Sequence, residues 1–166
     1  CAHAVRLNSN GSFDSCIVSP VTPFSGFNGQ VLAITDDASG AIWAGGTFTS
    51  YNGTSLGKLV KLKSDLSLDL GFVAGFGSGL NATVYDVEPD GSGGAFVAGD
   101  FTTANGNSVY RVVRYSSTGQ HLSSFAAPSS VDATVFDIKL GLNGVLYVGG
   151  NFASRLIALN PTDGSL

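Results

Sequence analysis

Three stretches of this sequence superimpose when aligned on Phe48, Phe101 and Phe152, which lie 53 and 51 residues apart. Two residues before each phenylalanine stands a glycine (Gly46, Gly99, Gly150), and five before it an aromatic (Trp43, Phe96, Tyr147). Eight before it is a second glycine (Gly40, Gly93, Gly144); fourteen before, Ile34, Val87 and Ile138; seventeen before, Val31, Val84 and Val135. Five offsets agree in three copies without a gap. A repeat of this period is one supersecondary unit that cannot bury its apolar face alone, so the chain must fold the same way several times and stack the results.

Each unit reads as short strands. A first strand (Val31 to Thr35, Val84 to Glu88, Val135 to Lys139) enters a polar turn such as Asp36-Asp37-Ala38-Ser39-Gly40. The second (Ala41 to Ala44, Ala95 to Ala98, Val145 to Val148) is apolar at every position and must be covered on both faces. Paired glycines follow, where a backbone approaches closely or the chain bends. Asn52-Gly53 and Asn105-Gly106 then mark a turn before a third strand (Leu59 to Leu62, Val112 to Tyr115, Leu156 to Leu159), of which Ala4 to Leu7 is a fourth copy. An outer strand is expected to lead to the anchors Phe72, Phe125 and, in the N-terminal copy, Ile17. Composition agrees: 23 glycines, no Met and one Glu against eleven Asp leave little with which to build exposed helices.

The expected fold is all-β, a β-propeller-type repeat of four-stranded antiparallel blades, about three and a half of them in this chain. Residues 1–30 form a half-blade hairpin and connector, 31–83 and 84–134 two blade repeats, and 135–166 a shortened, incomplete one. Trp43, Phe96 and Tyr147 are expected between adjacent blades, with Phe48, Phe101 and Phe152 as a second layer.

The combination of Gly-Gly-x-Phe, Asn-Gly, a basic-hydrophobic strand and Gly11-Ser12-Phe13-Asp14 resembles the bacterial secreted delta-sixty repeat, a β-propeller-type repeat. The resemblance spans nearly the whole chain. It implies large secreted or surface proteins and no common chemistry. Two departures stand out. Unit three has three residues between Phe152 and Leu156 where the others have ten, and unit two reads Gln120-His121-Leu122 where Asp14 and Asp69 would predict another Asp.

A net charge of −4 with eight Lys and Arg gives no electrostatic footprint for nucleic acid or anionic lipid. No apolar run is long enough to span a membrane. Cys1 and Cys16 fall at nearly opposite positions of one predicted hairpin, so a disulfide between them is geometrically reasonable; a lipid on Cys1 and free thiols are the alternatives. The first two place the protein outside the cytoplasm. A start at Cys1 without Met fits a processed piece of a secreted precursor.

Catalytic candidates are sparse. His3 and His121 are the two histidines, read as satisfied surface residues, and the acidic clusters are Asp36-Asp37 and Asp86 with Glu88 and Asp90. Asp90-Gly91-Ser92-Gly93-Gly94 resembles a fragment of a calcium loop but lacks its spaced acidic ligands and reads as a turn. No catalytic residue, metal or cofactor is expected. Lys58, Arg111 and Arg155 precede the third strand while Lys61, Arg114 and Arg6 lie within it, a rank of cations suited to an anion or acidic sugar unless each pairs with an Asp such as Asp69. Among the sequons at Asn10, Asn52 and Asn81, Asn52 in an exposed turn is the candidate for glycosylation.

The expected function is that of a secreted or surface-displayed, non-catalytic module for binding, adhesion or self-assembly. A propeller-based carbohydrate-active enzyme and a structural unit of an extracellular fibre are the alternatives. Expected partners are further copies of the chain or the remainder of a longer polypeptide, with surface glycans as candidate ligands, because incomplete blades would leave apolar faces and strand edges in water.

Overall fold

A computed structural model describes residues 7–12 and 26–166. The Cys1–Cys16 pairing, His3, Arg6, Asp14 and Ile17 lie outside these residues. The fold is all-β and built from small antiparallel sheets. Sheet one takes β1 (Val31–Asp36), β2 (Ile42–Gly46) and, after the hairpin β3 (Ser50–Tyr51) and β4 (Thr54–Ser55), β5 (Leu59–Leu62), in the order β1-β2-β5. A helix, α1 (Leu70–Phe76), leads to sheet two, where β6 (Val84–Pro89), β7 (Ala95–Gly99) and β10 (Val112–Tyr115) flank the hairpin β8 (Thr103–Ala104) and β9 (Asn107–Ser108). Sheet three holds β11 (Val135–Leu140), β12 (Leu146–Gly150) and β13 (Leu156–Leu159). Its small hairpin is replaced by a tight turn in which the Arg155 N–H reaches the Phe152 carbonyl at 3.0 Å.

The sheets approach each other most closely through their first strands, β1, β6 and β11, and the middle strands supply side chains to the cores between them. On β7, Ala95 and Val97 join Trp43, Leu59 and Ala33 of sheet one in one core, while Phe96 and Ala98 join Ile138, Leu146 and Val148 of sheet three in the next. Strict alternation on a strand sends successive side chains to opposite faces. That is why β7 is apolar throughout, as every one of its residues is buried. The glycines two residues before the repeat phenylalanines have a steric cause: a Cβ on Gly46, Gly99 or Gly150 would overlap the carbonyl oxygen of Gln30, Thr83 or Thr134. Asn52-Gly53 and Asn105-Gly106 both carry positive φ at the two turn centres, the type I′ geometry that closes two-residue hairpins.

Lys58, Arg111 and Arg155 share a left-handed backbone at φ 70°, 60° and 61°. Each turns its carbonyl to the N–H of the close-approach glycine, Gly46, Gly99 or Gly150, at 2.9–3.1 Å.

Three expectations need correction. The blades are three-stranded, the fourth strand being reduced to single bridges, Leu62 to Leu68 and Tyr115 to His121. The segment expected as an outer strand ending at Phe72 is helix α1, because the Asp69 side chain caps it by accepting the N–H groups of Gly71 and Phe72 at 3.0 and 3.2 Å. Unit two has Leu122 at the position of Asp69, cannot cap, and forms no helix there. Helix α1 fills the gap between sheets one and two, with Phe72 edge-on to Trp43 at 5.0 Å and Phe76 against Tyr115 at 5.0 Å.

The third correction concerns the inter-blade aromatics. Trp43, Phe96, Phe48, Phe101 and Phe152 are all buried, but Tyr147, their register partner in sheet three, is 37% exposed. Trp43 faces sheet two and Phe96 faces sheet three; among the described residues, nothing of that kind covers Tyr147.

Candidate functional site

Lys61, Arg111, Arg114 and Arg155 are engaged within the fold. The buried Lys61 ammonium lies 3.0 Å from the Asp37 carboxylate, donates to the Gly93 carbonyl of the next unit at 2.7 Å and sits over the Trp43 ring. Arg114 repeats the motif one unit on, with Nη2 2.7 Å from Asp90 and the guanidinium over Phe96. Arg111 approaches Asp100, and the Arg155 guanidinium donates to Asn151. Lys61 and Arg114, which also reaches the Pro161 carbonyl of unit three at 3.4 Å, therefore clamp neighbouring units, whereas Arg111 and Arg155 bond within their own. Asp69, expected as a partner, is the cap of α1 instead. Unit three loses both members of the clamp together, carrying Gly141 and Ala158 at the positions of Asp37 and Lys61.

The acidic clusters are similarly committed. Asp86 and Glu88 accept the backbone N–H groups of Ile138 and Leu140 at 2.8 and 3.0 Å, covering the free edge of β11, and Glu88 also pairs with Lys139. Burial pushes the Asp86 carboxyl up from its ordinary range, with the neighbouring Asp137 adding to it. Asp90 closes its glycine-rich turn by accepting the N–H groups of Ser92 and Gly94 while holding Arg114. No group of three or more His, Cys, Asp or Glu suited to a metal ion occurs among the described residues. Of the sequons, Asn52 is exposed with its amide oxygen accepting from the Gly26 N–H, and Asn81 clamps the N–H groups of Thr102 and Thr103.

Two surfaces stand out among the described residues. One is the outer face of sheet three, where Tyr147 and Leu156 are 37% and 64% exposed; their counterparts Trp43 and Phe96, Leu59 and Val112 are no more than 1% exposed. On the opposite side of the stack Ile34 is 67% exposed, whereas its counterparts Val87 and Ile138 are buried beneath the preceding sheet.

The other is a cleft of about 530 Å³ on unit two, between the β8–β9 hairpin, Tyr110 and the segment from Gln120 to Ala127. It carries no Asp, Glu, Lys or Arg. His121 lines it and corrects the expectation of a satisfied surface histidine: Nε2 is buried and has no hydrogen-bond partner among the described residues. The hydroxyl of Tyr115, whose ring centroid lies 5.9 Å from that of His121, is likewise buried and without a partner among the described residues. Unit one has the apolar pair Leu62 and Leu68 at these two positions. The exchange of an apolar pair for a polar one is visible when the two units are aligned.

Burial lowers the His121 pKa, so the folded protein takes up a proton less readily than the unfolded chain. Its contribution to stability is complete above about pH 6.5 and falls on acidification toward the folded-state value. His121→Leu, restoring the residue of unit one, is expected to stabilise the protein by about 1–2 kcal/mol at neutral pH, since it removes a buried unsatisfied nitrogen. It should also flatten the loss of stability between about pH 7 and 5. Denaturant melts of both proteins across that range check the sign; a destabilised variant would mean that the imidazole has a partner.

Comparison with known proteins supports the architecture. A family model described as a domain of unknown function (DUF5122) beta-propeller matches residues 38–72 and 88–120, the cores of units one and two. The chain therefore resembles a β-propeller-type repeat over those segments. No curated protein matches it.

Proposed function

We propose that the chain is a non-catalytic β-propeller-type module of a secreted or surface-displayed protein, and that it works by self-assembly, the outer face of sheet three receiving the Ile34 face of a second copy. The observation that supports this is the exposure of Tyr147 and Leu156 at positions that sheets one and two bury against the next sheet. The same register that seats Val87 and Ile138 against a preceding sheet leaves Ile34 uncovered among the described residues, available to play that part toward a neighbour. Such a contact is head-to-tail, and it closes a ring or extends a filament according to the rotation it imposes.

Light scattering coupled to size exclusion tests the reading. The mass should rise with protein concentration, and Tyr147→Ser with Leu156→Ser should abolish that rise while the variant stays folded in dilute solution, since both side chains are exposed in the single chain. A wild-type protein that stays monomeric at every concentration would refute self-assembly.

A further inference from the structure

We infer that the cleft on unit two is a binding site for a neutral saccharide. The inference is independent of self-assembly, because the cleft and the outer face of sheet three are built from different residues.

The two complete units differ where the cleft lies. Unit one has Gly57 at the position of Tyr110, and that glycine lies so close to Gly79 that a Cβ would overlap the Gly79 backbone. Helix α1 then follows. Unit two places an aromatic ring at the first of these positions, 48% exposed, and has no helix at the second, so a volume within the ordinary range for small-molecule sites stays open. The difference is an added ring and an omitted helix on an otherwise repeated frame.

The lining narrows the ligand. A site with no ionised side chain offers nothing to offset desolvation of a charged ligand, which excludes anionic sugars and nucleotides in favour of neutral molecules. The polar groups at the cleft are amides, hydroxyls and the His121 imidazole: the side chains of Gln120, Ser108 and Ser123 make no hydrogen bond to the described residues, and Asn107 makes two at 3.4 Å. Amides and hydroxyls both donate and accept, which matches sugar hydroxyls that do the same. Tyr110 supplies a flat apolar surface with a polar tip, suited to the C–H face of a pyranose ring. A proline-rich peptide would also use an exposed tyrosine, but it carries few donors and would leave these amides and hydroxyls unanswered.

The probes are maltose, cellobiose and diacetylchitobiose, titrated into isotope-labelled protein and followed by amide chemical shifts, with glucuronic acid and a proline-rich decapeptide in parallel. At least one neutral disaccharide should move the side-chain amides of Asn107 and Gln120 and the backbone of Tyr110. Tyr110→Gly, the residue of unit one, should weaken it about tenfold, the worth of one stacked ring. Gln120→Ala, at an exposed position, should weaken it without altering shifts elsewhere. Shifts with the decapeptide or glucuronic acid alone, no shift with any neutral sugar, or unchanged affinity in Tyr110→Gly would each overturn the assignment. Neither variant touches the surfaces proposed for self-assembly, so the particle mass should be unaffected whichever way the titration falls.

Discussion

Lys61→Met is expected to destabilise the protein by about 3–5 kcal/mol, the cost of leaving one partner of a buried ion pair behind. Lys61 and Asp37 are 5% and 7% exposed, and the ammonium holds two units together through Asp37 on its own side and the Gly93 carbonyl on the other. Without it, Asp37 keeps the Ser39 hydroxyl and N–H, the Ala41 N–H and a long contact to the Trp43 indole, and loses its ion-pair partner among the described residues. Burial works against the Asp37 charge, yet the hydrogen bonds from Ser39 and Lys61 outweigh it and hold the carboxyl well below the usual range. A depressed folded-state pKa contributes stability that is present above the unfolded value, near pH 4, and is lost as pH falls further. The deficit of Lys61→Met should therefore narrow on acidification through that range.

A second variant separates charge from packing. Asp37→Asn combined with Lys61→Met removes both charges and should lie within about 2 kcal/mol of wild type, because an ion pair replaced as a pair costs far less than one broken. Unit three shows that the frame accepts such a replacement, having Gly141 and Ala158 at the two positions. Urea denaturation of the three proteins decides the matter. A loss below about 1 kcal/mol for the single variant would mean the pair is solvated.

What the sequence disclosed and what it withheld divide along a physical line. The repeat offsets report backbone requirements, and those recur wherever the same strand pairing recurs. Gly46, Gly99 and Gly150 avoid the same carbonyl, and Asn52 and Asn105 open the same turn. Those features were legible. Burial belongs to the neighbour as much as to the position, so Tyr147 carries the pattern of Trp43 and Phe96 without their cover. Helix α1 was hidden because Asp69 reads equally as a strand residue or a cap, and the choice turns on where its carboxylate points. The partners of the cations were misplaced for a related reason. Lys61 and Arg114 reach across the middle strand to the turn between the first two strands, a contact that sequence spacing does not show. The cleft arises from an omission, since Leu122 stands where a cap would be, and only comparison between units reveals it.

Phe96→Ala should cost about 3–5 kcal/mol, and Tyr147→Ala, at the same register position one unit later, less than about 1 kcal/mol in dilute solution. Phe96 is 1% exposed, stands edge-on to Phe125 at 5.2 Å and lies beneath the Arg114 guanidinium at 5.2 Å, so its removal opens a cavity between two sheets that cannot collapse without moving a strand. Tyr147 projects from an uncovered face and hydrogen-bonds through its hydroxyl to the Asn143 side chain, so truncation returns little surface to water. The pair is informative because the backbone context is shared: both residues sit on a middle strand, five before the repeat phenylalanine. Any difference between them measures the covering sheet. The same comparison at rising protein concentration links stability to assembly, because a partner that binds the folded state raises apparent stability by mass action. If the Ile34 face of a second copy covers Tyr147, the cost of Tyr147→Ala should climb toward that of Phe96→Ala as concentration increases. A Phe96→Ala cost below about 1 kcal/mol would show that the stacking register is wrong. A Tyr147→Ala cost that never changes would show that sheet three meets no second copy.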